Sequence, residues 1–163
     1  MARRLTHIDA RGQARMVDVG GKPATAREAV ARGDVVMRPA TLRLIRANQV
    51  AKGDVLTLAQ VAGVMAAKRT HDLIPLAHPV PLTDVRVTCT PAPPHRVAIE
   101  AVAKTVARTG VEMEALIAVA VAGLTIYDMC KAVDREMTVE RVRLVAKRGG
   151  RSGEFRRSGE RAR

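Results

Sequence analysis

Three stretches of the chain alternate apolar and polar residues with the period of a β-strand: "TDVRVTCT" from Thr83, "HRVAIEAVAK" from His95 and "MTVERVRLVAK" from Met137. The "PAPPH" between the first two suits the connection of an antiparallel pair. "DVVMRP" is a further strand-like run, stopped by Pro39. Helical spacing governs "KGDVLTLAQVAGVMAAKRT", where Asp54 fits an N-cap and Leu58, Val61, Ala62 and Met65 recur on one face. "GVEMEALIAVAVAGLTIYDMCKAVD", Gly110 to Asp134, predicts one long helix. Two shorter helices are expected, "TAREAVARG" ending at Gly33 and "ATLRLIRANQ" with Leu42, Leu44 and Ile45 as its apolar side. "QARMVDVGGKP" reads as an extended segment entering a loop at Gly20 and Gly21, and Pro75, Pro79 and Pro81 make "HDLIPLAHPVPL" a rigid, extended loop.

From residue 35 the order is therefore strand, helix, strand, strand, helix, strand. That order predicts an α+β protein with a ferredoxin-like split βαβ sandwich, an antiparallel sheet with helices packed on one face. The chain shows no internal repeat and no linker, so residues 1–155 are expected to form a single domain and residues 156–163 a basic, disordered tail.

Composition sharpens this picture in two ways. Aromatics make up 1% of the chain, Tyr127 and Phe155, so the core must be built from Ala, Val, Leu, Ile and Met in thin, closely packed elements that gain by oligomerising. Lys and Arg number 28 against 16 Asp and Glu, a net charge of +12, which predicts an anionic partner. Lys147 to Arg163 alone hold seven basic and two acidic residues, +5 of that total. The uncharged run Ala115 to Tyr127 falls short of the roughly 20 apolar residues a bilayer span requires, so a buried helix is expected there. The N-terminal "MARRLTHIDARG" has no apolar core behind its arginines and does not read as a secretory signal. Cys89 and Cys130 lack CxxC or His spacing, which reads as two reduced thiols of a cytosolic protein and as neither a disulfide framework nor a zinc site.

The long helix poses a geometric question. Glu112 and Glu114 stand at its start, Asp128 and Lys131 near its end. At about 100° and 1.5 Å per residue, Glu114 and Asp128 lie within roughly 40° on one face but about 21 Å apart. Either the glutamates precede the helix proper, or a site using both ends is assembled from more than one chain, as a symmetric dimer would allow. The ordinary explanation of these charges is complementarity to the helix dipole, and for Asp128 and Lys131 an i,i+3 salt bridge. The sharper one is an acid/base pair. His78 sits in the proline-bounded loop, held without helix or strand support, which suits a group aimed at a ligand. Lys52, Lys68, Arg69 and Lys147 add cations, the last beside Gly149, Gly150 and Gly153, which let a backbone approach a phosphate.

The stretches "LTHIDARGQARMVDVGGK", "KGDVLTLAQVAGVMAAKRTHDLIPLAHP", "GVEMEALIAVAVAGLTIYDMCKAVD" and "VRLVAKRGGRSGEF", in order over about residues 5 to 155, resemble the MoaC family, the cyclic pyranopterin monophosphate synthases of molybdenum cofactor biosynthesis. The resemblance implies a cytoplasmic lyase that converts 3',8-cyclo-7,8-dihydroguanosine 5'-triphosphate to cyclic pyranopterin monophosphate with release of diphosphate. It implies a ferredoxin-like homohexamer, a trimer of dimers, with active sites between subunits. Asp128 and Lys131 then match the catalytic pair. Leu76, Ala77 and His78 match the substrate-binding loop, Met113 and Glu114 a further substrate contact, and Glu112, Lys52 and Lys147 further polar positions, with Lys68 and Arg69 supplying charge for the phosphates. Ala77 stands where the family often has Cys, which moves that position from a side-chain to a backbone contact. No metal site and no cofactor are expected, Mg²⁺ entering only as a companion of the triphosphate. The alternative of another class is a small basic nucleic-acid or ribosome-associated protein using the arginine tail. Against it stand the lack of RRM, KH, helix-turn-helix or zinc-finger patterns and of aromatic stacking platforms.

Overall fold

The computed structural model describes residues 11–160; the N-terminal arginines and the last three residues of the tail lie outside them. The elements are β1 (Thr25–Val36), α1 (Pro39–Arg46), α2 (Val55–Ala67), α3 (Thr70–Leu73), β2 (Leu82–Ala92), β3 (Arg96–Ala107), α4 (Glu112–Cys130), β4 (Thr138–Arg148) and β5 (Phe155–Arg156). The strands form one antiparallel sheet in the order β2-β3-β1-β4-β5. Helices α2 and α4 pack on one another and on one face of it. This is the expected ferredoxin-like arrangement, with the split βαβ units β1-α2-β2 and β3-α4-β4 interleaved, extended by a fifth short edge strand.

One expected helix is a strand. "TAREAVARG" joins "DVV" in the single strand β1, paired along its length with β3 and, through two register shifts, with β4. Alanine and arginine favour helix in isolation, but Ala29, Ala31 and Val35 are fully buried, and this alternation puts small side chains under α4. The expected alternation is observed over most of β2 and β3, as is the Asp54 N-cap of α2, which accepts from Thr57 N at 3.1 Å. In β4 it breaks at Arg141, whose φ is +55°, where the register against β1 shifts and Val142 is left exposed. The Pro-rich stretch begins with the one-turn α3 before it becomes extended.

Small residues set the spacing of the layers. A Cβ at Gly63 would lie 2.9 Å from the Ala118 carbonyl oxygen, and one at Gly123 would lie 2.8 Å from a Val139 methyl. Ala115, Ala118, Val119 and Ala122 of α4 are fully buried against Ala101 and Ala103 of β3 and the alanines of β1. With 19 residues, α4 is long and apolar enough to cross a membrane by length and composition, yet half of that segment is buried inside the protein, where it serves as the core helix.

The end of α4 is tied down by Asp134, which is 1% exposed. It accepts from Arg38 N and Thr41 Oγ1, both at 2.9 Å, and so caps α1 from a distant part of the chain. Burial opposes its ionisation, but these bonds, the Arg38 charge and Glu136 N outweigh it and hold the carboxyl below its ordinary value.

The segment expected to be a disordered tail is held as far as Glu160. Phe155 and Arg156 pair with Lys147 and Ala146, and Glu160 closes ion pairs with Arg32, at 2.9 Å, and Arg143 on the open face of the sheet. Those arginines are largely buried and need a carboxylate, which the tail supplies. Gly149 belongs to the same tie. Its φ is +88°, and a Cβ there would meet the Ala26 carbonyl at 2.1 Å, so the close approach to β1 requires glycine at this position.

Replacing Gly63 by Val should cost about 1–3 kcal/mol through overpacking, read as a melting point lower by several degrees. Gly21→Ala, with nothing within 4 Å of the new methyl, should leave the melting point unchanged.

Candidate active site

The glutamates do not precede α4; they occupy its first turn. Apart from Lys68 and Arg69, the expected site residues accordingly fall into two clusters at opposite ends of the helix, about 20 Å apart by its rise.

At the C-terminal end, a cavity of about 310 Å³ is lined by Lys52, Tyr127, Asp128, Lys131, Ala132 and Arg135. Lys131 Nζ lies 2.7 Å from Asp128 Oδ1, and Lys52 Nζ donates to Asp128 Oδ2 and to its backbone carbonyl, both at 3.0 Å. Lys52 comes from the loop before α2, which starts beside this end of α4 because the two helices run antiparallel. Hydrogen bonds from Lys131 and then Lys52, with the charges of both, hold the Asp128 carboxyl below its ordinary value. It is therefore held as a carboxylate by two lysine donors, either of which can also face a bound anion.

At the N-terminal end, a cavity of about 370 Å³ is lined by Leu76, Ala77 and His78 from the proline loop, by Glu112, Met113 and Glu114, and by Val17, Val19 and Lys22 of the N-terminal segment. His78 Nε2 donates to the Val17 carbonyl at 2.8 Å, which fixes a proton on that nitrogen and clips the N-terminal segment to the loop. Glu114 is 4% exposed, and burial, with a smaller contribution from the Glu112 charge, raises its pKa. Lys147 joins this end through Glu112, at 3.6 Å, and reaches Ser152 Oγ. Lys68 and Arg69, at the end of α2, are exposed and line neither cavity.

The decisive comparison is a match of residues 16–150 to the MoaC family model, a span that includes every residue of both clusters. The chain belongs to the MoaC family. It is 64% identical over 159 residues to the cyclic pyranopterin monophosphate synthase of Pelotomaculum thermopropionicum, covering 97% of this chain and 94% of that protein. It is 62% identical to the synthase of Thermomicrobium roseum, at 98% and 96% coverage, and 62% identical to cyclic pyranopterin monophosphate synthase 1 of Mycobacterium bovis, at 94% and 91%.

Within this MoaC chain, four cavity residues with polar side chains were not among the expected site residues: Lys22, Thr109, Tyr127 and Arg135. The signal for Lys22 was its place directly after the Gly20-Gly21 turn, where Lys22 N donates to Val19 O at 3.1 Å. Arg135 lies just past the motif and had no pattern of its own. The Ala77 N–H is already bonded to the Ile74 carbonyl at 3.0 Å, so a backbone contact from Ala77 falls to its carbonyl. Neither cysteine is poised as a nucleophile: burial pushes Cys89 to about 12 and, with Asp134 nearby, Cys130 to about 11. Among the described residues no group of three or more His, Cys, Asp and Glu is placed to hold a metal ion.

Because its folded pKa is raised, Glu114 favours the folded state below the ordinary glutamate value, and that contribution is lost as pH rises towards the folded one. Glu114→Gln should therefore gain stability relative to the parent as pH is raised from about 4 through that window. Denaturant midpoints at several pH values check this.

Proposed function

We propose that the chain is a cyclic pyranopterin monophosphate synthase, a cytoplasmic lyase that rearranges 3',8-cyclo-7,8-dihydroguanosine 5'-triphosphate and expels diphosphate. What supports this most directly is the Lys52–Asp128–Lys131 cluster, open on a cavity, in a chain 64% identical to a synthase over nearly its whole length. Opening and reclosing rings on a reduced purine moves protons repeatedly, and Lys131 is the proton-transferring group of the pair, held in place by the Asp128 carboxylate. Closing the cyclic phosphate breaks the bond between the α-phosphorus and the bridging oxygen, and lysines facing the departing diphosphate lower that barrier. Glu112 and Glu114 are acceptors for the N–H groups of the guanine-derived ring, and His78 donates to the substrate once released from Val17. No cofactor is required, and Mg²⁺ travels with the triphosphate.

The two clusters act together in an oligomer, a homohexamer built as a trimer of dimers. A surface suited to this runs between them. Leu58, Val61 and Met65 of α2 and Leu124 of α4 are about half exposed, and at about 100° per residue Met113, Ala120, Leu124 and Lys131 share one face of α4. A second chain laid antiparallel on this apolar layer brings its Asp128 and Lys131 to the Glu112–Glu114 end of the first.

Purified protein given the cyclic nucleotide should release diphosphate and form the pterin product, and Asp128→Ala or Lys131→Ala should lower turnover about 100-fold or more. Diphosphate release absent from the parent chain defeats the assignment. Asp128→Ala and Glu114→Ala chains, each weakened alone, should regain activity when unfolded and reassembled together, to about a quarter of the sites if assembly is random. Leu124→Glu should shift the mass of the assembly downward in light scattering and remove activity with it.

A further inference from the structure

Arg135, in the turn after α4, lines the same cavity as Lys52, Asp128 and Lys131. Its backbone is held on both sides. Tyr127 Oη donates to the Arg135 carbonyl at 3.2 Å, and Glu136 N donates to Asp134 Oδ1 at 3.3 Å. Asp134 is in turn buried and clasped by α1. Arg135 thus leaves a fixed turn, close to where Lys131 leaves the helix.

The charges of the cavity are unevenly committed. Asp128 takes an ion pair from Lys131 at 2.7 Å and another from Lys52 at 3.0 Å. The Arg135 guanidinium makes no ion pair among the described residues. Three cations therefore surround one carboxylate, and the arginine is the one that the carboxylate does not engage. A guanidinium presents a planar fork of donors that matches two phosphate oxygens, and at neutral pH it keeps its charge and transfers no proton. Those properties suit an anchor for phosphate and not a proton carrier, whereas the two lysines contact the group that handles protons. The lining is otherwise the side of Tyr127 and Ala132, which leaves room for an anion beside Arg135, and Asp128, the one acid of the lining, is paired with the two lysines.

Resting on the synthase reading, we propose that Arg135 is a substrate-binding residue that grips the β,γ-diphosphate of the triphosphate. It orients the leaving group while the α-phosphorus is attacked by a hydroxyl of the substrate itself. The bond broken is that between the α-phosphorus and the α,β-bridging oxygen, whose electron pair departs with the diphosphate, and the hydroxyl proton passes to a base. Arg135 holds the diphosphate before and after that step, so product diphosphate binds at the same place.

The test compares the parent with Arg135→Gln and Arg135→Lys for KM, kcat and inhibition by inorganic diphosphate. Loss of one charge-assisted contact should raise KM about tenfold or more in the Gln variant and weaken diphosphate inhibition by a like factor. The change in kcat should be small, and Lys should restore part of the loss. Arg156→Gln, on the far face of the sheet, should change neither. An Arg135→Gln enzyme with KM and diphosphate inhibition both within about twofold of the parent overturns the proposal, as does a fall in kcat alone. If the Gln variant does not fold, Arg135→Met keeps the aliphatic stem and is read in the same way. Calorimetric titration with inorganic diphosphate separates the two readings. A parent that binds diphosphate more tightly than the variants but turns over no substrate defeats the synthase assignment alone, and equal affinity in parent and variants defeats the role of Arg135 alone.

Discussion

The close approach of α4 to the sheet is the contact on which the rest of the molecule depends. A core with neither Trp nor buried Phe cannot fill wide gaps, so the layers meet through Ala29 and Ala31 on one side and Ala115, Ala118 and Ala122 on the other. Such packing has little slack: a Cβ added at Gly33 of β1 would lie 2.7 Å from a Val119 methyl, and one at Gly123 of α4 would lie 2.8 Å from a Val139 methyl. It makes α4 a rigid strut, and a rigid strut fixes the separation of what hangs from its ends. The two charged clusters keep their distance because the alanines between them leave no room for the helix to bend or shift.

The two ends differ in electrostatic character, and the difference follows from solvent access. Glu114 is buried beside a second carboxylate and resists ionisation. Asp128 is open to water between two lysines and ionises readily. One end therefore favours neutral hydrogen-bonding partners, and the other favours anions. A ligand with a flat heterocycle at one extremity and phosphates at the other suits this polarity, provided that the two ends come from different chains.

Much of the fold was legible because period and punctuation agreed: three alternating strands, an N-cap aspartate and prolines at the loop. The exception, β1, was misleading because its inward residues are alanines, whose helical preference is a property of the isolated segment, while the space beneath α4 is a property of the whole. The tail was hidden for a related reason. Glu160 looks like one acid in a basic run until Arg32 and Arg143 are seen largely buried on the sheet, 128 and 17 residues away in sequence. The site was legible as motifs, and the rise of a helix was enough to say that they would not meet along one straight helix; the place of the glutamates in its first turn came from the structure. Its unmarked members, Lys22 and Arg135, came from loops, where no period betrays which way a side chain faces.

The shortage of aromatic side chains that dictated the thin core has an optical consequence. The chain has no tryptophan and a single tyrosine, Tyr127, which lines the cavity that holds Asp128 and Lys131. Every copy of the protein thus carries one tyrosine fluorophore, placed one residue from the carboxylate of the reactive pair. Its emission reports the state of that cavity with no tryptophan or second tyrosine to mask it, a natural probe that requires no label.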